Sequence, residues 1–239
     1  MTLFTLAQVT PPASEPVSLT LAKQHLRVDG TADDTYITAL IIAARVYAEH
    51  HCRRAFITQT WDMYFDQFHY FDTREIQIPL APLQSVTWIK YTDTAQNIQT
   101  LATDQYVADG RQQPGRVYPA FAKYWPATLP LQNSVNIRFV AGYTNAAADA
   151  ALAALVLAQA AYAAAATDAN ARILVAAQAA YDAAAVATVP QTIIQAILLL
   201  VSHFYENREP IVAERGVVPA EVPFAVDKLL DTEVVLEIP

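Results

Sequence analysis

The side chains with the widest chemical repertoire in this sequence are His50, His51 and Cys52, three in a row, and His203 with Glu206 three residues further on. Imidazole, thiolate and carboxylate are ligands for zinc and related metals, and a histidine beside a carboxylate can also serve general acid–base catalysis. Their spacing argues against both uses. Consecutive helical residues point in different directions, so His50, His51 and Cys52 fan around a helix instead of converging on one ion. The order His203-x-x-Glu206 puts two ligands on one face. Carboxylate-bridged metal bundles, however, use a Glu-x-x-His pair twice with extra glutamates, and no second copy exists here. A helix-end histidine and glutamate that pair with backbone or with Arg208 account for the same residues. Asp66 and Asp72 fall at or beside strand ends, a density of carboxylates that chance supplies. The sequence holds no Gly-rich phosphate loop, nucleophile elbow or Cys-x-x-Cys pair, and its five glycines leave little from which to build a nucleotide cradle. No catalytic residue, no metal and no cofactor is therefore expected.

Residues suited to contact are easier to find. Phe204, Tyr205, Glu206, Asn207, Arg208 and Glu209 join aromatics to a fork-shaped arginine at a helix end, a mixture enriched in interfaces. The two aromatics would serve equally well as core. The tail from Glu233 alternates Val234, Leu236 and Ile238 with Val235 and Glu237, the pattern of a segment that adds a strand to a partner's sheet, or of a frayed terminus.

Composition points the same way. Apolar residues make up 54% of the 239 and charged residues only 16%, a low charged share that hints at surface hidden against partners. The formal net charge is −8, and the last 35 residues hold eight acidic and three basic side chains. A duplex-DNA binder shows a basic patch or stripe, and none appears, which excludes tight general nucleic-acid binding but suits a surface that lets DNA pass. The single cysteine forms no internal disulfide and fits a reducing compartment. The N-terminal MTLFTLAQVTPP lacks the basic and apolar regions of a signal peptide. Of the two stretches that resemble membrane spans, Ile193 to Val201 is too short, and Ala146 to Ala166 is mostly alanine with Asp149 and Gln159 inside it.

The elements that must position these residues follow from period and punctuation. Pro11, Pro12 and Pro16 predict an extended arm over 1–17. Ser18 is placed to cap a short helix, LTLAKQHLRV, and Asp33 or Asp34 to cap the next, TYITALIIAARVYAEHHCRR. In that helix Ile37, Leu40, Ile41, Ala44, Tyr47 and Ala48 share a face, and the basic end suits the helix dipole. From Phe56 the period becomes two: Ile57, Trp61, Met63 and Phe65 alternate with Thr58, Thr60, Asp62 and Tyr64. EIQIPL, SVTWIKYT, NIQTL, QYVAD, GRVYP and SVNIRFVAGY follow as strands. Pro79, Pro82, Pro114, Pro119, Pro126 and Pro130 are barred from central strands, so a small, irregular and antiparallel sheet is expected. PQTIIQAILLLVSHFYENRE then reads as a helix with Thr188 as cap, Pro190 in its first turn and Pro210 as its stop, and PFAVDKLL as a short last helix.

Between sheet and last helices lies Ala146 to Thr188, in which 24 of 43 residues are alanine and none is glycine or proline. An internal repeat offset by 19 residues matches Leu155, Val156, Ala158, Gln159 and Tyr162 to Leu174, Val175, Ala177, Gln178 and Tyr181. Alanine's helix propensity argues against disorder. Either a hairpin bends near Thr167–Asp168–Ala169–Asn170, giving two arms of roughly 30 Å, or one helix runs unbroken for about 60 Å. The polar residues, good at caps and poor in helix interiors, favour the hairpin. Its candidate contact residues are Leu155, Gln159, Tyr162, Leu174, Gln178 and Tyr181. Alanine expansion with no role beyond being tolerated is the plain alternative.

The pieces together resemble the head–tail connector, or adaptor, proteins of long-tailed double-stranded DNA bacteriophages and gene-transfer particles. The resemblance rests on VSLTLAKQHLRVDG, RRAFITQTW, IPLAPLQSVTWIKY, PGRVYP, VNIRFVAGY, VPQTIIQAILLLVSHFYENRE and VPFAVDKLL, and it covers nearly everything except Ala146 to about Val189 and the tail after Leu230. It implies a non-enzymatic, dodecameric ring in the virion neck. The portal lies on one side, a stopper or tail-completion protein on the other, and DNA runs through the centre. It also implies portal or neighbour contacts from Phe204 to Glu209 and from Phe224, with Val234 and Leu236 in the tail. Other classes left open are a helical interaction module of another assembly and a metal-dependent enzyme built on His203 and Glu206. The expected fold is α+β, a helical bundle with an inserted antiparallel β region and an Ala-rich hairpin. Its parts are the arm 1–17, bundle helices 18–55, β region 56–143, hairpin 144–188, bundle helices 189–230 and acidic tail 231–239.

Overall fold

A computed structural model describes residues 4–68, 75–143, 146–186, 189–207 and 224–235. The chain divides into two compact units. One comprises Met1–Ala13, Arg53–Tyr143 and Val235–Pro239, the other Ser14–Cys52 and Thr144–Val234.

The first unit is built of strands. β1 (Thr5–Thr10), β2 (Gln59–Phe65), β4 (Leu83–Thr92), β5 (Ile98–Thr100) and β8 (Val135–Ala141) form a five-stranded sheet in the order β1-β2-β8-β4-β5. β3 (Ile76–Ile78), β6 (Tyr106–Asp109) and β7 (Gly115–Pro119) form a second sheet in the order β3-β7-β6, and every pairing between named strands is antiparallel. Met63, Phe65, Ile89, Val135, Ile137 and Phe139 fill the core with residues from the second sheet. The period-two pattern in β8, where every second residue is buried, is the physical basis of that core. Phe68 and Trp125 stack with ring centroids 4.8 Å apart and fasten two loops to it.

Three sequence expectations change here. Part of the N-terminal arm, Thr5–Thr10, is an edge strand on β2, so Pro11 and Pro12 end a strand. The β region is two sheets, not one. Pro119 does lie in the middle strand of the smaller sheet, at its end, where its partner among the described residues is Tyr106. Gly142 closes β8 at φ +131°, where a Cβ would stand 2.5 Å from the Ile57 carbonyl oxygen, so no other residue fits.

The second unit is helical: α1 (Leu19–Leu26), α2 (Asp34–Cys52), α3 (Ala146–Ala164), α4 (Asp168–Val186), α5 (Gln191–Glu206) and α6 (Phe224–Asp231). Ser18 caps α1, its hydroxyl accepting from the Leu21 amide at 3.2 Å. Arg27, in the left-handed region at φ 57°, ends it. α5 packs on α1, α2 and α6, and its Ile193, Ile194, Ile197, Leu198, Leu200 and Val201 are buried beside Ile37, Ile41, Ala44 and Ala48 of α2. Tyr47, expected on that inner face, is exposed, because it lies beyond the edge of the Ile37–Ile41–Ala44–Ala48 seam. Pro190 is the N-cap of α5 and not a first-turn residue, and the helix ends at Glu206, before Pro210, with Asn207 as its cap. Thr188 and Pro210 lie outside the described residues. Among the described residues no helix is long and apolar enough to cross a membrane.

Candidate assembly surface

The residues that first suggested chemistry are dispersed or already occupied. His50 is exposed, His51 is half-buried with Nε2 3.1 Å from Asp231, and Cys52 is buried with Sγ 3.6 Å from the Leu230 carbonyl oxygen. The hydrogen bond from His51, with a second from Lys228, holds the Asp231 carboxyl below its usual range. His203 lies against the Phe204 ring, its carbonyl accepts from Asn207 Nδ2 at 2.8 Å, and Glu206 is exposed. Asp66 accepts the Asn133 amide at 3.0 Å and so braces a turn, while Asp72 lies outside the described residues. Among the described residues no three His, Cys, Asp or Glu side chains come together as a metal site would need.

Buried charge in both units is matched internally. Arg45 donates to Glu15 at 2.7 Å and to Glu49 at 2.6 Å, which joins α2 to the segment before α1. Burial pushes the Glu15 carboxyl up despite the opposing pull of the Arg45 guanidinium. In the sheet, Arg138 grips Asp62 through Nε at 2.7 Å and Nη2 at 2.8 Å, a fork-on-carboxylate pair that holds Asp62 below its ordinary range. Trp88 packs against two cations, Lys90 at 4.5 Å and Arg138 at 4.8 Å.

Apolar surface is not matched in this way. α3 and α4 are separate helices, each about 28 Å long, with a break at residues 165–167. They pack on one another and, among the described residues, on no other element to a comparable degree. The joint is capped from both sides. Thr167 Oγ1 accepts the Asn170 amide at 3.2 Å, and Asn170 Nδ2 donates to the carbonyls of Ala161 and Ala165, the loose end of α3. Leu155 and Tyr181 are buried, Leu174 and Gln178 half-buried, and Gln159 and Tyr162 exposed. Outside that seam, Leu157 is 72% exposed and Val175 70% exposed, with Val156 and Ile173 also in the open. On α2 the face opposite its buried seam presents Ala39, Ile42, Ala43 and Val46, all exposed. In the sheet unit Phe121 is 99% exposed at the tip of a turn closed by Lys123 N–H donating to the Ala120 carbonyl.

The α5 end is partly committed within the chain. Tyr205 donates its hydroxyl to Asp33 at 2.7 Å and sets its ring 6.0 Å from Tyr36, Phe204 is half-buried, and Glu206 and Asn207 are exposed. Phe224 opens α6 and Val234 is half-buried, whereas Arg208, Glu209 and Leu236 lie outside the described residues. The outer stripe of α2 is the feature that sequence reasoning missed. Its signal was available, since 39, 42, 43 and 46 repeat the i, i+3, i+4, i+7 spacing, but the stronger seam at 37, 41, 44 and 48 masked it.

Comparison with known proteins identifies chains of similar fold. Residues 16–113 match the family model described as Phage gp6-like head-tail connector protein, in agreement with the resemblance read from the sequence. No curated protein matches the chain. Among solved structures, a chain from the neck of an empty gene transfer agent (GTA) particle computed with C6 symmetry aligns with TM-score 0.63 and 19% identity, covering 98% of this chain and 97% of that one. A chain from the virion of a native GTA particle gives TM-score 0.61 at 19% identity, with the same coverages. One from the neck of a native GTA particle computed with C12 symmetry gives 0.59 at 18%, again covering 98% and 97%. At that identity the likeness is one of fold. Its span includes α3 and α4, which the sequence resemblance had left out.

Proposed function

We propose that this chain is a structural subunit of the head–tail neck of a phage or phage-like particle. In this reading identical copies form a dodecameric ring between the portal of the head and the stopper or tail-completion protein. The observation that carries the reading is the agreement between the connector family match over residues 16–113 and a full-length fold likeness to neck chains, one of them in a particle treated with twelvefold symmetry. The apolar faces on α2 and on the α3–α4 hairpin support it, because a subunit that works alone has no use for them. The charge of −8 suits a channel through which DNA passes without sequence-specific binding.

The chain acts by position and not by catalysis, with no cofactor. The exposed end of α5 at Glu206 and Asn207, the following Arg208 and Glu209, and the chain from Phe224 through Val234 and Leu236 face the portal or a neighbouring copy. The helical hairpin projects from the ring body. Imaging the neck of an intact particle that carries this chain tests the reading, and a ring of this chain between head and tail is the expected result. Deleting residues 147–187 leaves a folded chain by circular dichroism that assembles less well. A monomer that ignores the portal and turns over a substrate would end the proposal.

A further inference from the structure

Two apolar helix faces of the helical unit have no occupant among the described residues. The outer stripe of α2 runs Ala39, Ile42, Ala43, Val46, with Ile42 42% and Val46 40% exposed. The other is the outside of the hairpin, where Leu157 and Val175 stand in solvent. We infer that they occupy each other between copies: the hairpin of one subunit lies along α2 of the next. This rests on the ring reading and names the contact that closes the ring.

Four observations carry the pairing. Copies with a net charge of −8 repel, so they approach best through surface without charge. The α2 stripe contains no charged residue, and neither does the chain from Ala150 to Thr167, which includes most of α3. Small residues match small residues as well. Ala39 and Ala43, one turn apart beside Ile42 and Val46, carry side chains small enough for an alanine-rich helix to approach at the close end of the usual 8–10 Å range. The lengths agree, since α2 and α3 each have 19 residues. Finally, the two faces differ. A contact between unlike faces is head-to-tail, and repeated around an axis it closes a ring, whereas one self-complementary face would stop at a dimer.

Cross-linking of the full-length chain tests this. Val46→Cys and Leu157→Cys are made separately and together, and a bismaleimide is applied to purified protein and to particles carrying it. Wild type is the control, because Cys52 is buried. The expected result is a cross-linked dimer when the two single variants are mixed and a ladder of multimers from the double variant. Val46→Glu should weaken multimer formation at least about tenfold while leaving the melting temperature of the chain unchanged. Rings that persist with Val46→Glu and show no 46–157 cross-link overturn the inference and leave the ring reading standing. Cross-links between two copies of Val46→Cys alone also overturn it, since they mark a self-complementary face. Absence of any multimer, free or in particles, defeats both.

Discussion

Helices α5 and α3 are both apolar and nearly uncharged, yet they are held in different ways. α5 buries Ile193, Ile194, Ile197, Leu198, Leu200 and Val201 against three other helices. α3 buries Leu155 and Ala158 among its described side chains, and among the described elements α4 is its one substantial neighbour. Hydrophobicity alone therefore does not say which helix makes the core. What separates them is side-chain size. Large residues at helical spacing give α5 a broad face that only burial satisfies, whereas alanine supplies helix propensity with little to bury. The first helix owes its stability to the fold, the second to propensity, caps and one packed partner.

The comparison predicts its largest effect at α5. Ile197→Ala removes a fully buried side chain and should cost about 2–5 kcal/mol of unfolding free energy, read from the urea midpoint at unchanged slope. A loss below about 1 kcal/mol would mean that the helical core is loose and the contrast with α3 overstated.

A second effect asks whether the sheet unit is as self-contained as α5. Arg138→Ala strands the Asp62 carboxylate, whose side chain is only 6% exposed, and should cost about 1–3 kcal/mol. The sign with pH follows from the direction of the shift. Asp62 is held low in the folded chain, so its contribution is fully present above the ordinary carboxylate range and is lost as pH falls through the folded value. As pH falls below the ordinary carboxylate range, wild type should therefore lose more stability than Arg138→Ala. Parallel acid curves for the two proteins would show that the pair contributes nothing.

Much of this architecture was legible in the sequence, and its gaps have physical causes. The strands were readable because β8 alternates cleanly and β2 alternates apolar with polar in sequence, although its Asp62 is buried, and the Ser18 cap because a hydroxyl before an apolar period has few other uses. The split into two sheets was not, since β3, β5 and β6 are three or four residues long and carry no register of their own. β1 was hidden because nearby prolines suggested an unpaired arm, while an edge strand tolerates them at its end. The internal repeat misled in part. Tyr162 and Tyr181 match in sequence, but Tyr181 is buried and Tyr162, near the joint, is exposed. The outer stripe of α2 was the least legible, because an exposed apolar seam and a buried one have the same spacing.

A third prediction sharpens the claim that caps hold α3 and α4. Thr167→Ala removes the acceptor for the Asn170 amide and should cost about 1 kcal/mol, confined to the hairpin. Amide exchange at the start of α4 should quicken about fivefold, with the global melting temperature unmoved. A fall in the global transition would show that hairpin and bundle unfold as one unit.

The smallest expected effect is the most discriminating. Leu157→Ala deletes a large apolar side chain, as Ile197→Ala does, but from a position 72% exposed. In the isolated subunit it should change stability by no more than about 0.5 kcal/mol, and alanine's higher helix propensity partly offsets the loss. If copies assemble as proposed, the same substitution should remove buried surface between them, so the temperature at which subunits dissociate should fall while monomer unfolding does not. Paired thermal scans of the free and assembled chain separate the two outcomes. Equal shifts in both would place Leu157 in the subunit's own core and erase the distinction between α3 and α5.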